Sequence, residues 1–333
     1  MSNFTSFTTH PSPLSPFPHL SAIIAAMRAF VLSGGGNRGP LEVGAIRALL
    51  QAGIVPDMVV GTSAGALNGA YLAVEPSLAQ VERVADLWRD AGRRKLLQSS
   101  TASMLARMLR GHDFFTDTKR LRDYVRQVLP ATVQTFGDLT LPLWVTISHL
   151  VTHTLYVYGD DLTAPLVDAI LLSAAVPGFF PPLLLNDELF VDGGVTSNMP
   201  VLLAIARGAT EIWAIDLAFT KDRTKKVRGG FNIAGYPLRV LLYQDVLREL
   251  EHAANVCLRT PGMTLHHIPL YAYDTVGLGD FSKTEDMVLE GERATRTYLR
   301  QPKPNEVQYA PALKPEEMPV GPRGSRPFVF EGS

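Results

Sequence analysis

The sequence predicts an α/β domain in which helices cover both faces of a mostly parallel central sheet. Strand-like and helix-like segments take turns along the chain, and this alternation is typical of that class. The 333 residues suffice for one large domain with a sizeable core. With 46% hydrophobic and 19% charged residues, the composition is that of an ordinary globular protein.

In the first third of the chain, each of two predicted strands runs into a glycine-rich turn and then a helix. Pro40 favours the first turn of the first helix, because a proline there has no N–H to lose. A third helix follows, with apolar residues at helical spacing. The predicted order is strand 29–32, helix 40–52, strand 58–60, helix 63–72 and helix 78–90.

The alternation continues to about residue 258. We expect strands at 143–148, 154–158, 189–191 and 212–215, and helices at 164–174, 200–207 and 237–258. Segment 93–111 is less regular and is read either as a peripheral helix or as a cap over an apolar site. The domain is expected to span 27–300, with a disordered N-terminal extension at 1–26 and a flexible tail without a fold of its own at 301–333.

Composition excludes several classes of protein. The formal net charge of −1 argues against a nucleic-acid binder. Cys257 is the one cysteine, so no intrachain disulfide forms, which suits a reducing compartment such as the cytoplasm. No apolar stretch reaches the ~18 residues of a membrane-spanning helix, so no transmembrane segment is predicted.

Three short motifs carry the candidate chemistry: Ser33–Gly39, Gly61–Gly65 and Asp192–Gly194. Each follows a short apolar run. The middle motif has the G-x-S-x-G form of a nucleophile turn, which places Ser63 on a sharp strand-to-helix corner. The first motif offers backbone N–H groups, as an oxyanion-binding loop must. The third supplies a carboxylate, Asp192, beside two glycines. Together they indicate a serine acyl hydrolase.

The glycine loop has a rival interpretation. Gly34, Gly36 and Gly39 also satisfy the G-x-G-x-x-G pattern of dinucleotide-binding oxidoreductases. That pattern requires an acidic residue after the second strand, whereas Asp57 precedes that strand. An acid at the wrong end of the strand cannot reach a ribose bound at the other end, which weakens this alternative. A catalytically silent binding module is a further alternative. It is disfavoured because Ser63, Asp192 and the glycine loop are all intact.

No histidine has the loop setting expected of a catalytic base. His252 lies in a helical pattern, while His266 and His267 lie in an apolar strand-like run. Asp192, in contrast, emerges at a strand end with room beside it. Because a carboxylate can take the proton of a hydroxyl directly, a Ser–Asp pair needs no histidine.

The motifs together resemble the patatin-like phospholipases. The resemblance spans 28–217, and the segments that carry it are Gly34–Gly39, Gly61–Gly65, Ser173–Pro182, Asp192–Gly194 and Asn198–Pro200. Ser148-His149-Leu150 departs from it, since a Thr-Asp-Leu-like strand end is expected there. That departure concerns local packing and leaves the Ser–Asp pair untouched.

The resemblance implies a three-layer α/β/α patatin-like fold and a lipid acyl ester hydrolase of the phospholipase A or lysophospholipase kind. It acts without metal or cofactor on a lipid at a membrane surface. Ser63 is then the nucleophile, Asp192 the base, and the N–H groups of Gly35, Gly36 and Asn37 the oxyanion hole. The residues expected to support them are Gly34, Arg38, Gly39, Gly61, Gly65, Gly193 and Gly194. Neither the lipid nor the oligomeric state follows from the sequence.

An acyl chain requires an apolar slot. Phe179, Phe180, Leu183 and Leu184 precede Asp192 and are candidates for its lining or for ordinary core packing. The basic residues between 221 and 228 are candidates either for contact with anionic headgroups or for a solvated loop.

Overall fold

The structure is a computed structural model that describes residues 26–94, 118–177, 179–217, 230–273, 276 and 279–309. Residues 1–25 of the predicted extension at 1–26, most of the candidate cap and the basic cluster at 221–228 lie outside these residues. Eight strands of the described part form one sheet in the order β5-β6-β3-β2-β1-β7-β8, with β4 paired to β3. Their bounds are β1 Arg28–Leu32, β2 Met58–Gly61, β3 Leu143–His149, β4 Leu155–Tyr158, β5 Leu183–Leu185, β6 Glu188–Asp192, β7 Glu211–Asp216 and β8 Thr264–Pro269.

The sheet has a parallel section and an antiparallel section, which meet at β3. Strands β3, β2, β1, β7 and β8 run parallel. The pairs β3–β4, β3–β6 and β5–β6 are antiparallel. The predicted mostly parallel sheet is therefore confirmed, with an antiparallel section built around β3.

Helices cover both faces, as predicted. Side chains alternate along β1, so that Phe30 and Leu32 enter a core shared with α1–α5 and α8, whereas Ala29 and Val31 pack with α6 and α7. This alternation produces three layers. The helix bounds are α1 Gly39–Gln51, α2 Ala64–Val74, α3 Leu78–Arg93, α4 Thr118–Val128, α5 Leu166–Ser173, α6 Val201–Ala206, α7 Gly230–Arg259 and α8 Thr284–Arg300. None of these described helices combines the length and apolarity needed to cross a bilayer.

Strand β3 brings the ends of two other strands together. Its residues from Val145 to Ser148 pair with β4 along one edge. Strand β2 pairs with β3 up to Val145 and β6 pairs with it from Ile147 onward, so both occupy the opposite edge. Because β2 is parallel to β3 and β6 is antiparallel to it, their carboxyl ends point at each other. They meet beside Thr146.

The C-terminal helix α8 packs against α1 with almost no space between the two backbones. A Cβ placed on Gly44 of α1 would lie 1.9 Å from the Val288 carbonyl oxygen, and one on Gly291 of α8 would lie 1.9 Å from the Leu41 carbonyl oxygen. Neither backbone contact leaves room for a methyl group. The two glycines therefore set the distance at which α8 lies on α1.

After α8 the chain runs along β8. The Asn305 N–H donates to the Leu265 carbonyl at 2.8 Å, and the Gln308 N–H donates to His267 Nδ1 at 2.9 Å. Two of the nine described residues of the predicted tail are thus hydrogen-bonded to the last strand of the sheet, and the remainder of the tail lies outside the described residues.

We predict that Gly291→Ala lowers the free energy of unfolding by about 1 to 3 kcal/mol, the usual cost of overpacking. In a helix free of such contacts, the same change would raise stability by up to about 1 kcal/mol, so the sign is informative. Urea denaturation measures it. Leu289→Ala is the control, because that side chain is 55% exposed on the same helix. Equal midpoints for the two variants would contradict the close approach of the helices.

Candidate active site

Ser63 occupies a strained corner between β2 and α2. Its φ of 54° and ψ of −115° lie outside the regions that L-residues favour, at a cost of about 1 to 3 kcal/mol. The flanking glycines are required by backbone contacts. A Cβ on Gly65 would lie 2.3 Å from the Leu32 carbonyl oxygen, and one on Gly61 would lie 2.5 Å from that of Gly65. The corner thus has the geometry predicted from the G-x-S-x-G motif.

Asp192 ends β6 directly opposite this corner. Its buried carboxylate accepts a hydrogen bond from the Gly194 N–H at 2.8 Å. Burial raises the pKa of Asp192 from 3.8 to about 6, although the nearby Ser63 hydroxyl and the Gly194 N–H both lower it. A carboxylate with this pKa is a stronger proton acceptor than an exposed one.

The burial of Asp192 destabilises the folded protein at neutral pH. Because folding raises the pKa of this carboxyl, its contribution to stability declines as the pH rises from about 4 to about 6 and stays at the lower value above that range. The rise in pKa to about 6 corresponds to a loss of roughly 3 kcal/mol. The rest of the fold compensates for this loss.

The glycine loop follows β1 and leads into α1. Gly36 has a φ of 60°, which favours glycine. Within the described part of the chain, the N–H groups of Gly35 and Gly36 donate to no other residue. Gly36 and Ser63 line the same cavity. The loop therefore presents two N–H donors and the start of a helix near the serine, an arrangement that favours negative charge.

Arg38 and Asn37 brace the loop from outside. The buried Arg38 guanidinium donates to the Leu217 carbonyl at 2.6 Å, and the Asn37 side-chain amide donates to the Asp280 carbonyl at 2.7 Å. These contacts favour the interpretation of Arg38 as a loop anchor. Gly35 is also confined, since a Cβ there would lie 2.3 Å from the Leu217 side chain.

Asn198 ties the glycine loop to the turn after Asp192, a role that sequence reasoning did not assign. Its side-chain amide donates to the Gly34 carbonyl at 3.1 Å, and its own carbonyl accepts the Gly34 N–H, also at 3.1 Å. Its Oδ1 lies where a Cβ on Gly34 or Gly194 would collide, at 2.3 and 2.6 Å. The only signal in the sequence was its place in the Asn-x-Pro segment.

Two hydroxyl groups hold the Ser63 corner in place and were likewise not predicted. The Thr62 hydroxyl hydrogen-bonds to that of Thr146 at 2.6 Å, at the point where β2 and β6 meet. Ser173 Oγ accepts the Ser63 N–H at 2.8 Å. That N–H is therefore already engaged within the protein.

An apolar cavity of about 80 Å³ opens beside Ser63. Its walls come from α2, α3, α4, α5 and the segment before α8, represented by Leu67, Trp88, Tyr124, Ile170 and Phe281. Among the predicted lining residues, Phe180 is confirmed. Phe179 and Leu184 are 44% and 66% exposed, and Leu183 packs into the core instead.

Two of the histidines weighed as alternative bases, His266 and His267, have other partners, and so does His149. His266 stacks on Trp213 with ring centroids 4.0 Å apart, and His267 Nε2 lies 3.3 Å from Asp216 Oδ2. His149 binds the turn after β3, since its Nδ1 accepts the Val151 and Thr152 N–H groups. The departure from the expected Thr-Asp-Leu pattern thus concerns local packing.

Two further sequence interpretations concern Asp57 and metal binding. The Asp57 carboxylate accepts the Arg28 N–H at 2.7 Å, at the amino end of β1 and far from the glycine loop at its carboxyl end. This position does not suit a dinucleotide ribose. Within the described residues, no group of three or more His, Cys, Asp or Glu side chains is placed to hold a metal ion.

Residues 30–205 match the family model described as patatin-like phospholipase. The chain belongs to this family. The matched region contains the Ser63 corner, the glycine loop and Asp192, while α7 and α8 lie beyond it.

Curated relatives agree with this assignment. A putative patatin-like phospholipase domain-containing protein of Caenorhabditis elegans, M110.7, is 27% identical over 86% of this chain and 27% of its own length. Lysophospholipase NTE1 of Mycosarcoma maydis is 29% identical over 66% of this chain and 11% of its own. The chain therefore spans about a quarter or less of these two proteins. VipD from Legionella pneumophila is a structural neighbour with a TM-score of 0.46 and 16% identity, covering 83% of this chain and 67% of VipD.

We predict that Ser63→Gly is more stable than Ser63→Ala by about 1 kcal/mol or more. Both variants lack the hydroxyl, but only glycine adopts this φ and ψ without strain. Urea denaturation of the two variants measures the difference in their free energies of unfolding. The slopes of free energy against urea concentration should agree, which shows that the two unfolding transitions are comparable. An alanine variant as stable as the glycine variant would mean that the corner stores no strain.

Proposed function

We propose that the chain hydrolyses carboxylic esters of lipids, with Ser63 as nucleophile and Asp192 as its base. The observation that carries the proposal is that the ends of β2 and β6 meet along one edge of β3, which places the Ser63 corner beside the buried Asp192 carboxylate. Ser63 also lines an apolar cavity. A nucleophile, its base, oxyanion donors and an acyl slot are the parts that acyl transfer needs.

The reaction proceeds in two halves. Ser63 Oγ attacks the ester carbonyl carbon while its proton passes to Asp192, and the N–H groups of Gly35, Gly36 and Asn37 bind the oxyanion. The intermediate then collapses, and the leaving alcohol takes the proton from Asp192. In the second half, water attacks the acyl-enzyme, Asp192 accepts its proton, and the fatty acid leaves with Ser63 reprotonated.

The lipid class rests on the cavity and on the family. Apart from Ser63, the polar side-chain groups of the cavity walls are the Tyr124 hydroxyl and the Trp88 indole N–H, which donate to the Leu87 carbonyl and to Asn68 Oδ1. The remaining side chains are apolar, so the slot suits a hydrocarbon chain. One relative carries the name lysophospholipase. Together these support a phospholipase A or lysophospholipase-like activity, exerted by a cytoplasmic protein on lipids at a membrane surface.

We predict that a fluorophosphonate probe labels the wild-type protein once, which intact mass measures. Ser63→Ala should lose the label entirely, because the probe bonds to the nucleophile. Asp192→Asn should react at least 100-fold more slowly, in line with the contribution of a positioned base. Labelling that survives in Ser63→Ala would overturn the assignment. A folded wild type that never reacts would favour the silent binding module.

We also predict the pH dependence of labelling. Because burial raises the pKa of Asp192 to about 6, and only the carboxylate accepts the proton, the rate constant should be flat above pH 7. It should fall about tenfold per pH unit below 6. Labelling reactions quenched at successive times, at pH values between 4.5 and 8.5, give the rate constant as a function of pH. Asp192→Asn, which has no group to titrate there, should show no such fall; a wild-type profile flat down to pH 4.5 would exclude Asp192 as the base.

A further inference from the structure

The segment just before α8 joins the site, although it lies outside the residues matched to the family. The Asp280 carbonyl accepts the Asn37 side-chain amide at 2.7 Å, which binds this segment to the glycine loop. The Asp280 carboxylate accepts the Ser282 N–H at 2.9 Å, and the Thr284 hydroxyl donates to the Phe281 carbonyl at 2.8 Å. These bonds hold the backbone on both sides of Phe281.

The Phe281 ring completes an aromatic wall with Trp88. The ring centroids are 6.2 Å apart, and a Cβ on Gly92 would lie 2.7 Å from Phe281 Cβ. Trp88 in turn covers Gly39 at the end of the glycine loop, where a Cβ would lie 2.2 Å from the indole.

Trp88 is also fixed in orientation. Its indole N–H donates to Asn68 Oδ1 at 2.8 Å, and the Asn68 amide donates to the Gly39 carbonyl at 3.0 Å and to Glu42 at 2.8 Å. The wall is therefore rigid and is connected to the loop that would bind the oxyanion. It lines the same cavity as Ser63 and Gly36.

We propose that Phe281 is a specificity-determining residue that limits the width of the acyl slot beside the ester carbonyl. This inference rests on the proposed function. A substrate whose carbonyl oxygen lies at Gly35 and Gly36 has its first acyl carbons next to this wall. A straight chain passes it, whereas a methyl branch on the carbon next to the carbonyl meets the Phe281 ring. The enzyme therefore prefers unbranched acyl groups.

The test compares two isomeric substrates, p-nitrophenyl heptanoate and p-nitrophenyl 2-methylhexanoate. Wild-type protein should have the higher kcat/KM for the straight ester. Phe281→Ala should lower the straight-to-branched ratio about tenfold or more, since one methylene in an apolar pocket is worth about 10- to 200-fold. Phe281→Leu, which keeps much of the bulk, should shift the ratio less and keeps the test valid if the alanine variant does not fold.

Leu121→Ala is the matched control, because Leu121 also lines the cavity but belongs to α4. It removes apolar bulk from another wall and should leave the ratio unchanged. Equal shifts in both variants, or no shift in either Phe281 variant, would overturn the inference while fluorophosphonate labelling of Ser63 still supported the proposed function. A wild-type protein that neither reacts with the fluorophosphonate nor hydrolyses either ester would instead overturn the proposed function.

Discussion

The meeting of β2 and β6 along one edge of β3 is the constraint on which the candidate site depends. A parallel strand and an antiparallel strand occupy the same edge, so the serine corner and the aspartate come together although 129 positions of sequence separate Ser63 from Asp192. The Thr62–Thr146 hydrogen bond closes the junction at 2.6 Å. A slip of β6 by one residue would turn the Asp192 side chain to the other face of the sheet.

This arrangement costs folding free energy in two places. Ser63 is an L-residue with a strained backbone conformation, and the Asp192 carboxylate is buried away from water. Both persist because neighbouring groups fix them from several directions. Asn198 holds Gly34 by two hydrogen bonds, Ser173 holds the Ser63 N–H, and Gly194 donates to Asp192. The large three-layer core supplies the stability that these features remove.

Much of the fold was predictable, because periodicity and glycine placement report local structure. The strand before Ser63 and the helix after it follow from the mechanics of the motif, and the observed layers agree with the strand–helix alternation. The sequence did not reveal α4 or α8, whose apolar positions are spread among many charges. The edge strand β5 has three residues, too few for a period to show.

The site was predictable as far as its motifs reach. Asn198 and Ser173 lay in segments noted for resemblance, but only three-dimensional packing assigns them partners. Phe281 and Asp280 had no signal at all, because their contacts with Trp88 and Asn37 span long stretches of chain. A single sequence shows spacing along the chain and not proximity in space, so such residues appear only once the helices are packed.

The close packing of α8 on α1, which Gly44 and Gly291 permit, has a consequence for which fragments of this protein can fold. A fragment trimmed to the motif-bearing segment would retain every recognisable signature, yet it would expose the α1 surface that α8 covers and lose one aromatic side of the slot. The segment that carries the recognisable motifs is therefore shorter than the segment that completes the core and the slot. A recombinant chain that takes one end from another protein therefore has to keep glycine at both positions, because α1 and α8 lie at opposite ends of the chain.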